Sequence, residues 1–450
     1  MGKLHSVSLN RDRCMGCTNC IKGCPTEAIR VRDGKACIDE NRCIDCGECI
    51  RICPHHAKSA QCDPFPDLTS RNASKPAAVL LPPSLYAQFG PPATRSMIIR
   101  SMYAIGFDFV YEVAIGAEAC SLRTREIIAE KRALVQSGGS DFSSVFPLIS
   151  SACPVVVRLI QMKYKALIPH LIPFDSPMEI TAGFARKDIA SKLAISPDAI
   201  DIYFLSPCPS KRTVTINPLG QNKSEVNFVL ALHDVYPLIL SALEKEQKDT
   251  DAATLHAFVG LAGSEGVQWA CAGGEASTLD TEKYMAVDGI HNVISILDEI
   301  ENERLKDIEF VEPSCCFGGC IGGPLTVTNP FSAKARMRGF IKAAIDDEER
   351  SPDKFLRFRH LQLASSWKIP LEANNSMQLD ADINTAMDKY EQMERILETL
   401  PGLDCGACGA PTCAALAEDI VQGNALETDC IIKLKEHIRK VAQDINLLDL

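Results

Sequence analysis

Cysteine spacing is the feature that most restricts what this chain can fold into. The pattern Cys-x2-Cys-x2-Cys-x3-Cys-Pro occurs twice, and its copies start 29 residues apart, at Cys14 and Cys43. Zinc also takes four thiolates, but usually as two Cys-x2-Cys pairs rather than as triplets followed by Cys-Pro. The repeat therefore predicts iron–sulfur clusters. Its cysteines are Cys14, Cys17, Cys20 and Cys24, then Cys43, Cys46, Cys49 and Cys53.

Disulfides are the other explanation for 21 cysteines in 450 residues. They belong to small secreted folds and oxidising compartments, and residues 1–10 contain no apolar segment of a signal peptide. No run of about 18 uncharged apolar residues predicts a membrane span. A net charge of −11 disfavours nucleic acid and anionic membrane surfaces as partners. We therefore expect a cytoplasmic protein that exchanges electrons with other proteins.

The middle of the chain has the pattern of an α/β domain. Prolines in residues 63–76 prevent a continuous helix and predict a linker. Residues 77–81 and 107–113 have the apolar character of buried parallel strands, with a helix predicted between them at 95–105. This order predicts an α/β domain with parallel sheets over residues 77–350. Later strands are predicted at 201–205 and 307–311.

Three short cysteine motifs lie near the ends of predicted strands, where α/β folds present their chemistry. Thiolates that converge from separate loops favour an iron–sulfur site, and glycines allow the backbone to approach a bulky cluster. The motifs are Ser150-Ser151-Ala152-Cys153-Pro154, Ser206-Pro207-Cys208-Pro209-Ser210-Lys211, and Glu312-Pro313-Ser314-Cys315-Cys316-Phe317-Gly318-Gly319-Cys320-Ile321-Gly322-Gly323.

A third cysteine group follows a predicted amphipathic helix at 383–400 that ends at Pro401-Gly402. Four thiolates on loops of small residues can surround one cubane, and zinc stays open as the alternative. We predict a linker at 351–380 and a small helical 4Fe-4S domain at 381–450. The cysteines are Cys405, Cys408, Cys413 and Cys430.

The N-terminal repeat resembles the bacterial two-cluster ferredoxin, a small α+β fold, over residues 1–62. The resemblance implies crossed ligation, in which the fourth cysteine of each copy binds the cluster of the other copy. One cluster then has the ligands Cys14, Cys17, Cys20 and Cys53, and the other has Cys43, Cys46, Cys49 and Cys24. The C-terminal spacing resembles a 4Fe-4S module of ferredoxin-linked membrane oxidoreductase subunits and corrinoid iron–sulfur proteins.

The three middle motifs, taken in order, resemble the signature motifs of [FeFe] hydrogenases. The resemblance implies that Cys320 bridges the cubane to the diiron subsite of an H-cluster, and that Lys211 hydrogen-bonds a cyanide there. It also implies that the subsite carries carbon monoxide, cyanide and an azadithiolate, and that three accessory [4Fe-4S] clusters carry single electrons. The implied partners are H2, protons, ferredoxin or another redox or signalling protein, and maturation proteins. The implied cubane ligands are Cys153, Cys208, Cys316 and Cys320.

This sequence departs from the hydrogenase pattern where protons move. Ala152 stands where the family has the cysteine that relays protons. Ser206, before Pro207, and Ser314 replace methionines beside the diiron subsite. Arg123 and Thr124 occupy the positions expected for the glutamates of the proton path. The pattern resembles the sensory subgroup of the family and predicts slow turnover limited by proton transfer.

Two interpretations remain open at this stage. The chain could be a non-catalytic H2 sensor, or an electron-transfer or iron–sulfur assembly protein on a hydrogenase-like scaffold; the ferredoxin repeat and Lys211 favour a hydrogenase. Cys271 is interpreted as a packing residue, with a replacement proton relay as the alternative. No ligand role is assigned to Cys37, Cys62, Cys120, Cys271 or Cys315.

Overall fold

The computed structural model describes residues 5–68, 75–246, 262–350 and 366–448. The chain divides into two compact units, one that combines residues 1–59 with 374–450 and one formed by 60–373. The first and last segments of the chain, predicted as separate domains, therefore belong to one unit. Parts of both predicted linkers, residues 69–74 and 351–365, lie outside the described residues. Within the described part of the chain, no helix is both long and apolar enough to cross a bilayer.

The N-terminal segment is a small α+β fold. Strands β1 (Val7–Leu9) and β4 (Lys58–Ala60) pair with each other, and β2 (Ile29–Arg32) pairs with β3 (Lys35–Ile38) as an antiparallel hairpin. Each copy of the cysteine repeat contributes one short helix, which carries the third cysteine of its triplet. These helices are α1 (Asn19–Lys22) and α2 (Glu48–Arg51).

The middle unit contains two parallel sheets, as the sequence predicts. One has four strands in the order β6-β5-β8-β9, and the other has three in the order β10-β11-β7. The strands are β5 (Ala77–Leu81), β6 (Phe109–Glu112), β7 (Leu148–Ile149), β8 (Asp201–Ser206), β9 (Phe228–Ala231), β10 (Tyr284–Asp288) and β11 (Phe310–Ser314). The strand predicted at 307–311 forms three residues later than expected at both ends.

Strand β5 explains why the four-stranded sheet needs helices on both faces. Its five residues are all buried; Val79 and Leu81 pack into one apolar cluster, and Ala78 and Leu80 pack into another. Alternate side chains of a strand point to opposite faces, so a fully apolar strand requires cover on each side.

Helices connect the strands of both sheets. The helix predicted at 95–105 forms over those residues, because the Thr94 hydroxyl accepts a hydrogen bond from the N–H of Met97 and Gly106, at φ +116°, ends it. The helices are α3 (Arg95–Ile105), α4 (Ala114–Gln136), α5 (Phe142–Val145), α6 (Pro154–Lys163), α7 (Pro177–Leu193), α8 (Ser210–Ile216), α9 (Leu232–Glu246), α10 (Ser264–Gln268), α11 (Ile290–Glu301) and α12 (Pro330–Arg350).

The C-terminal segment is helical, as predicted. Helices α13 (Ile383–Thr399) and α14 (Cys413–Val421) pack together, and α15 (Ile431–Leu448) follows the last cysteine. Side chains cap the first two helices: Asp382 accepts from the N–H of Thr385, and Thr412 accepts from the N–H of Ala415.

Candidate metal centres

Each of the three middle motifs follows directly after a parallel strand. Ser150 to Cys153 come after β7, Cys208 comes two residues after β8, and the segment from Cys315 to Cys320 comes after β11. Cys153 is the residue immediately before α6. The carboxyl ends of parallel strands are where α/β folds present ligand sites, so the local fold delivers these cysteines to one region.

The four predicted cubane ligands lie within electrostatic range of one another. Burial, followed by the nearby Cys316 and Cys153, raises the pKa of Cys208 to about 12, against the opposing charge of Lys211. Burial also raises the pKa of Cys153, which accepts a hydrogen bond from the backbone of Cys315. Close packing of protein atoms around the thiol of Cys320 removes it from water and raises its pKa, and the neighbouring thiols raise this pKa as well. Part of the Cys320 residue is nevertheless exposed to solvent. Four crowded thiols of this kind form thiolates only beside a cation, and soft thiolates suit an iron–sulfur cluster.

Glycines hold the third motif close to its neighbours. A Cβ on Gly319, at φ +87°, would lie 2.5 Å from the backbone nitrogen of Ala272. A Cβ on Gly323 would lie 2.3 Å from the carbonyl oxygen of Pro207. The carboxylate of Asp288, at the end of β10, accepts a hydrogen bond from the N–H of Gly318. The loop that carries Cys316 and Cys320 is therefore fixed against the other motifs by close backbone contacts.

Lys211 lies beside the first motif. Its ammonium nitrogen donates to the carbonyl oxygen of Ala152 at 3.3 Å. Both residues line a partly open cavity, together with Glu179 and Trp367. A cation at the wall of a cavity can bind an anionic group there.

Three residues that depart from the hydrogenase pattern, Ser206, Arg123 and Thr124, have well-defined local environments in the structure. The buried hydroxyl of Ser206 donates to the carbonyl oxygen of Cys208 at 2.6 Å and so stabilises the turn after β8. Arg123 faces the surface of α4, where it pairs with Glu126 and Glu130, and Thr124 is fully buried. Neither position of α4 offers a carboxyl group for proton transfer.

A buried pair of carboxyl groups lies next to Ala152, and sequence reasoning did not find it. The hydroxyl of Ser150 donates to Glu275 at 2.5 Å and accepts from the N–H of Ala152 at 3.3 Å. Glu312 accepts from the N–H groups of Gly273 and Ala276. Burial, followed by the charge of Glu312, raises the pKa of Glu275; burial alone raises the pKa of Glu312 to about 7. The sequence contains one signal for this site: Ser150 and Glu312 both lie in the motifs that were selected for their cysteines.

The five cysteines with no assigned ligand role lie in different environments. Burial raises the pKa of Cys271 to about 11, with Lys334 and Glu312 as the nearby charges. The thiol of Cys120 is buried and donates to the carbonyl oxygen of Asp175. Cys315 is buried, Cys62 is half-buried and Cys37 is exposed.

The N-terminal cysteines lie in two groups, each with members from both copies of the repeat. Cys20 has the charges of Cys14, Cys17 and Cys53 around it. Cys46 has those of Cys24, Cys49 and Cys43. In each set, therefore, the fourth cysteine comes from the other copy of the repeat.

Three of the four C-terminal cysteines, Cys408, Cys413 and Cys430, share one small core, and Cys405 is exposed. Cys408 lies within electrostatic range of Cys430 and Cys405, and Cys413 packs in the same apolar cluster. The backbone N–H of Cys413 donates to the carboxylate of Asp404 at 2.6 Å. These four thiols are arranged so that one compact metal centre could bind them.

Family models match all three cysteine regions. The model for the iron-only hydrogenase large subunit, C-terminal domain, matches residues 75–324, which are more than half of the chain. The chain belongs to the iron-only hydrogenase family. A 4Fe-4S dicluster domain model matches residues 6–54, and an Fe-S cluster model matches 400–432. The protein is therefore an iron–sulfur protein, with a hydrogenase-type domain between two cluster-binding segments.

Relatives with established names fall into two groups. The chain is 25% identical to iron hydrogenase 1 of Clostridium pasteurianum over 377 residues, which cover 71% of this chain and 64% of that protein. It is 23% identical to the periplasmic [Fe] hydrogenase large subunit of Nitratidesulfovibrio vulgaris, with 71% and 86% covered. It is also 30% identical over 114 residues to a cytosolic Fe-S cluster assembly factor of Sclerotinia sclerotiorum, with 25% and 19% covered. The chain thus spans less than two thirds of the length of the clostridial and fungal proteins.

Solved structures of hydrogenases resemble this chain loosely. An [FeFe]-hydrogenase structure from Chlamydomonas reinhardtii is 14% identical, with a TM-score of 0.46, and the match covers 68% of this chain and 96% of that one.

Proposed function

We propose that this protein is an [FeFe] hydrogenase that splits and forms H2 heterolytically and slowly, with single electrons passing through three accessory [4Fe-4S] clusters. The observation that carries the proposal is the convergence of Cys153, Cys208, Cys316 and Cys320 with Lys211 around one site. Four thiols alone would fit any cubane. The lysine at a cavity wall beside them is what a diiron subsite with anionic ligands requires.

The residues around the site have the properties that this function needs. The H-cluster, when bound, supplies the open iron site at which H2 is split. Cys153, Cys208, Cys316 and Cys320 would hold the cubane, and Cys320 would also serve the diiron subsite. Lys211 would position the subsite through a charge-assisted hydrogen bond. Ser206, Pro207 and Ser314 lie in the motifs that line it.

Proton transfer takes a different route from that of enzymes with a relay cysteine. The methyl group of Ala152 carries no proton, whereas the Ser150 hydroxyl can accept one as it releases another. Glu275 receives the hydrogen bond from Ser150, and burial followed by the charge of Glu312 raises its pKa, which favours the protonated form. Glu312, whose pKa is about 7, exchanges protons readily at that pH. This route reaches only the backbone N–H of Ala152 and no titratable side chain at that position. Because a backbone N–H does not pass protons on, we propose that turnover is slow.

Infrared spectroscopy of protein matured with the diiron cofactor tests the proposal. We expect carbon monoxide and cyanide bands that shift when H2 is added. A Lys211→Met variant should keep the cubane, measured as iron and sulfide content, and lose most of these bands. Absence of the bands in wild-type protein with a fully loaded cubane would rule out a hydrogenase.

A second function has support from the assembly-factor relatives. In this alternative the chain keeps the cubane without a diiron subsite and takes part in iron–sulfur cluster assembly. The 30% identity to the fungal assembly factor, over 114 residues, favours it. The infrared experiment separates the two functions, because only the hydrogenase requires the diatomic ligands. A sensory role uses the same site, and a partner protein would then report the redox state of the clusters.

A further inference from the structure

Strand β2 connects the C-terminal cysteine loop to the N-terminal segment within one compact unit. The backbone N–H of Val31 donates to the carbonyl oxygen of Gly409, with 2.8 Å between nitrogen and oxygen. The guanidinium of Arg32 donates to the carbonyl oxygen of Cys408 at 3.2 Å. Both hydrogen bonds therefore reach the C-terminal loop at a proposed cluster ligand or at the residue after it.

Val31 also faces the N-terminal metal centre. It lines a partly open cavity that is bordered by one complete set of proposed ligands, Cys14, Cys17, Cys20 and Cys53. One residue thus contacts the surroundings of a proposed cluster in each of the two segments. The path from Cys408 to this cavity consists of Gly409, one hydrogen bond and Val31.

Glycines make the approach of the two segments possible. Gly409 has φ +81°, and a Cβ there would lie 2.0 Å from the carbonyl oxygen of Val31. Gly406 has φ +76°, and a Cβ there would lie 3.4 Å from the side chain of Ile21, the neighbour of Cys20. Any side chain at Gly409 would force the C-terminal loop away from β2.

Part-buried ion pairs hold the two segments at this separation. Asp419 in α14, 9% exposed, accepts from Arg30 at 2.7 Å and from Arg32 at 2.6 Å. Arg42 forms a two-pronged pair with Glu418, and its pKa is raised first by the hydrogen bond to that carboxylate. Planar guanidinium groups paired in this way define orientation as well as distance.

We propose that the C-terminal cluster exchanges electrons directly with the cluster of Cys14, Cys17, Cys20 and Cys53, through Gly409 and Val31. One electron leaves the reduced cluster and enters its oxidised neighbour, and no bond or proton is exchanged. Electron tunnelling falls steeply with distance and is best supported by covalent and hydrogen-bonded paths, which is what these contacts provide. The C-terminal segment is then a second electron port that opens onto the ferredoxin-like segment. This proposal rests on the ligand sets proposed above for both clusters.

Electron paramagnetic resonance of the reduced, full-length protein tests this proposal. Protein prepared without the diiron subsite is used, so the result does not depend on H2 chemistry. In wild-type protein we expect magnetic coupling that broadens the N-terminal cluster signals and speeds their relaxation. A Cys405→Ser and Cys408→Ser double variant should remove this contribution and keep the N-terminal signals.

Glycine variants test the path itself. Gly409→Ala should weaken the coupling at least twofold while Gly423→Ala, also at positive φ (+75°) but with nothing within 4 Å of its Cβ position, should leave it unchanged. If Gly409→Ala loses the C-terminal iron, Asp419→Asn replaces it, because this change loosens the clamp without touching the loop. Identical N-terminal signals in wild type and the double variant would overturn the proposal. The infrared result on the matured protein would be unaffected, so failure of the hydrogenase proposal is recognised separately.

Discussion

The hydroxyl of Ser150 donates a hydrogen bond to the carboxyl group of Glu275, although 125 residues separate them in the sequence. Both side chains are nearly fully buried. The neighbouring Ala152 is the residue that the sequence places at the proton-relay position of the hydrogenase pattern. The hydrogen bond between Ser150 and Glu275 therefore lies close to the proposed proton path, but it begins at Ser150 and not at Ala152.

We predict that Glu275→Gln lowers the rate of H2 turnover about tenfold or more. Glutamine keeps the shape and accepts the hydrogen bond from Ser150, but it cannot hold an exchangeable acidic proton. Turnover is measured as H2 uptake with an artificial electron acceptor, with the infrared bands as a check that the site is loaded.

The matched control for this change is Glu179→Gln. Glu179 is a half-buried carboxyl group whose pKa is also raised by burial, and it lines the cavity beside Lys211. We expect this variant to keep turnover within about twofold of wild type. A larger loss in Glu179→Gln than in Glu275→Gln would place the proton route on the other side of the cavity.

The carboxyl group of Glu312 should titrate near neutral pH. Burial raises its pKa from 4.5 to about 7, so it is neutral below that pH and charged above it. In the unfolded chain it releases the proton at a lower pH, and folding stability therefore falls as pH rises from about 4.5 to about 7. Infrared difference spectra should show a protonated carboxyl band that disappears around pH 7.

The band should be absent from Glu312→Gln protein at every pH. Its persistence in that variant would assign the titration to another buried group, with Glu275 as the first candidate because the two charges interact.

Ala152→Cys should raise turnover at least tenfold. A thiol at this position would supply an exchangeable proton close to the diiron subsite, where the methyl group supplies none. Ala152→Val is the control, since it adds bulk without a proton and should not raise the rate. An unchanged rate in Ala152→Cys, with a loaded site, would mean that proton transfer does not limit turnover.

Gly319→Ala should prevent stable binding of the middle cubane. The new Cβ would lie 2.5 Å from the nitrogen of Ala272 and 2.7 Å from the oxygen of Ala270, at a φ of +87°. The loop that carries Cys316 and Cys320 would have to move, at a cost of about 2 kcal/mol or more.

Iron content and thermal unfolding report this change. The control is Gly339→Ala in α12, where nothing lies within 4 Å of the Cβ position; it should bind iron normally and gain up to about 1 kcal/mol of stability. Equal iron content in Gly319→Ala and Gly339→Ala would show that the close approach at Gly319 is not required.

The sequence was sufficient for features that depend on local order. The helix at 95–105 and the strand at 77–81 form over the predicted residues, since a cap, a glycine stop and an unbroken apolar run specify them within a few residues. The positions of the cysteine motifs could also be predicted, because metal ligands recur at short, fixed spacings.

Long-range pairings could not be predicted in this way. Glu275 and Ser150 meet only through tertiary contacts: β7, which precedes Ser150, pairs with β11, and Glu312 of β11 accepts hydrogen bonds from Gly273 and Ala276 on either side of Glu275. Asp419 and Arg30 are 389 residues apart, and nothing in either local pattern indicates the other. The strand at 310–314 was predicted three residues early because the charged residues before it belong to the preceding turn.

The compact unit that joins residues 1–59 to 374–450 affects how the protein is made. The N-terminal segment leaves the ribosome first, but its partner segment follows only after about 300 further residues have been translated, which takes roughly 15 to 60 seconds at typical rates of synthesis. During that interval Arg30, Arg32 and Arg42 have no acidic partners from α14. The N-terminal clusters can therefore be inserted before the unit is complete, and the C-terminal segment packs onto the N-terminal segment last.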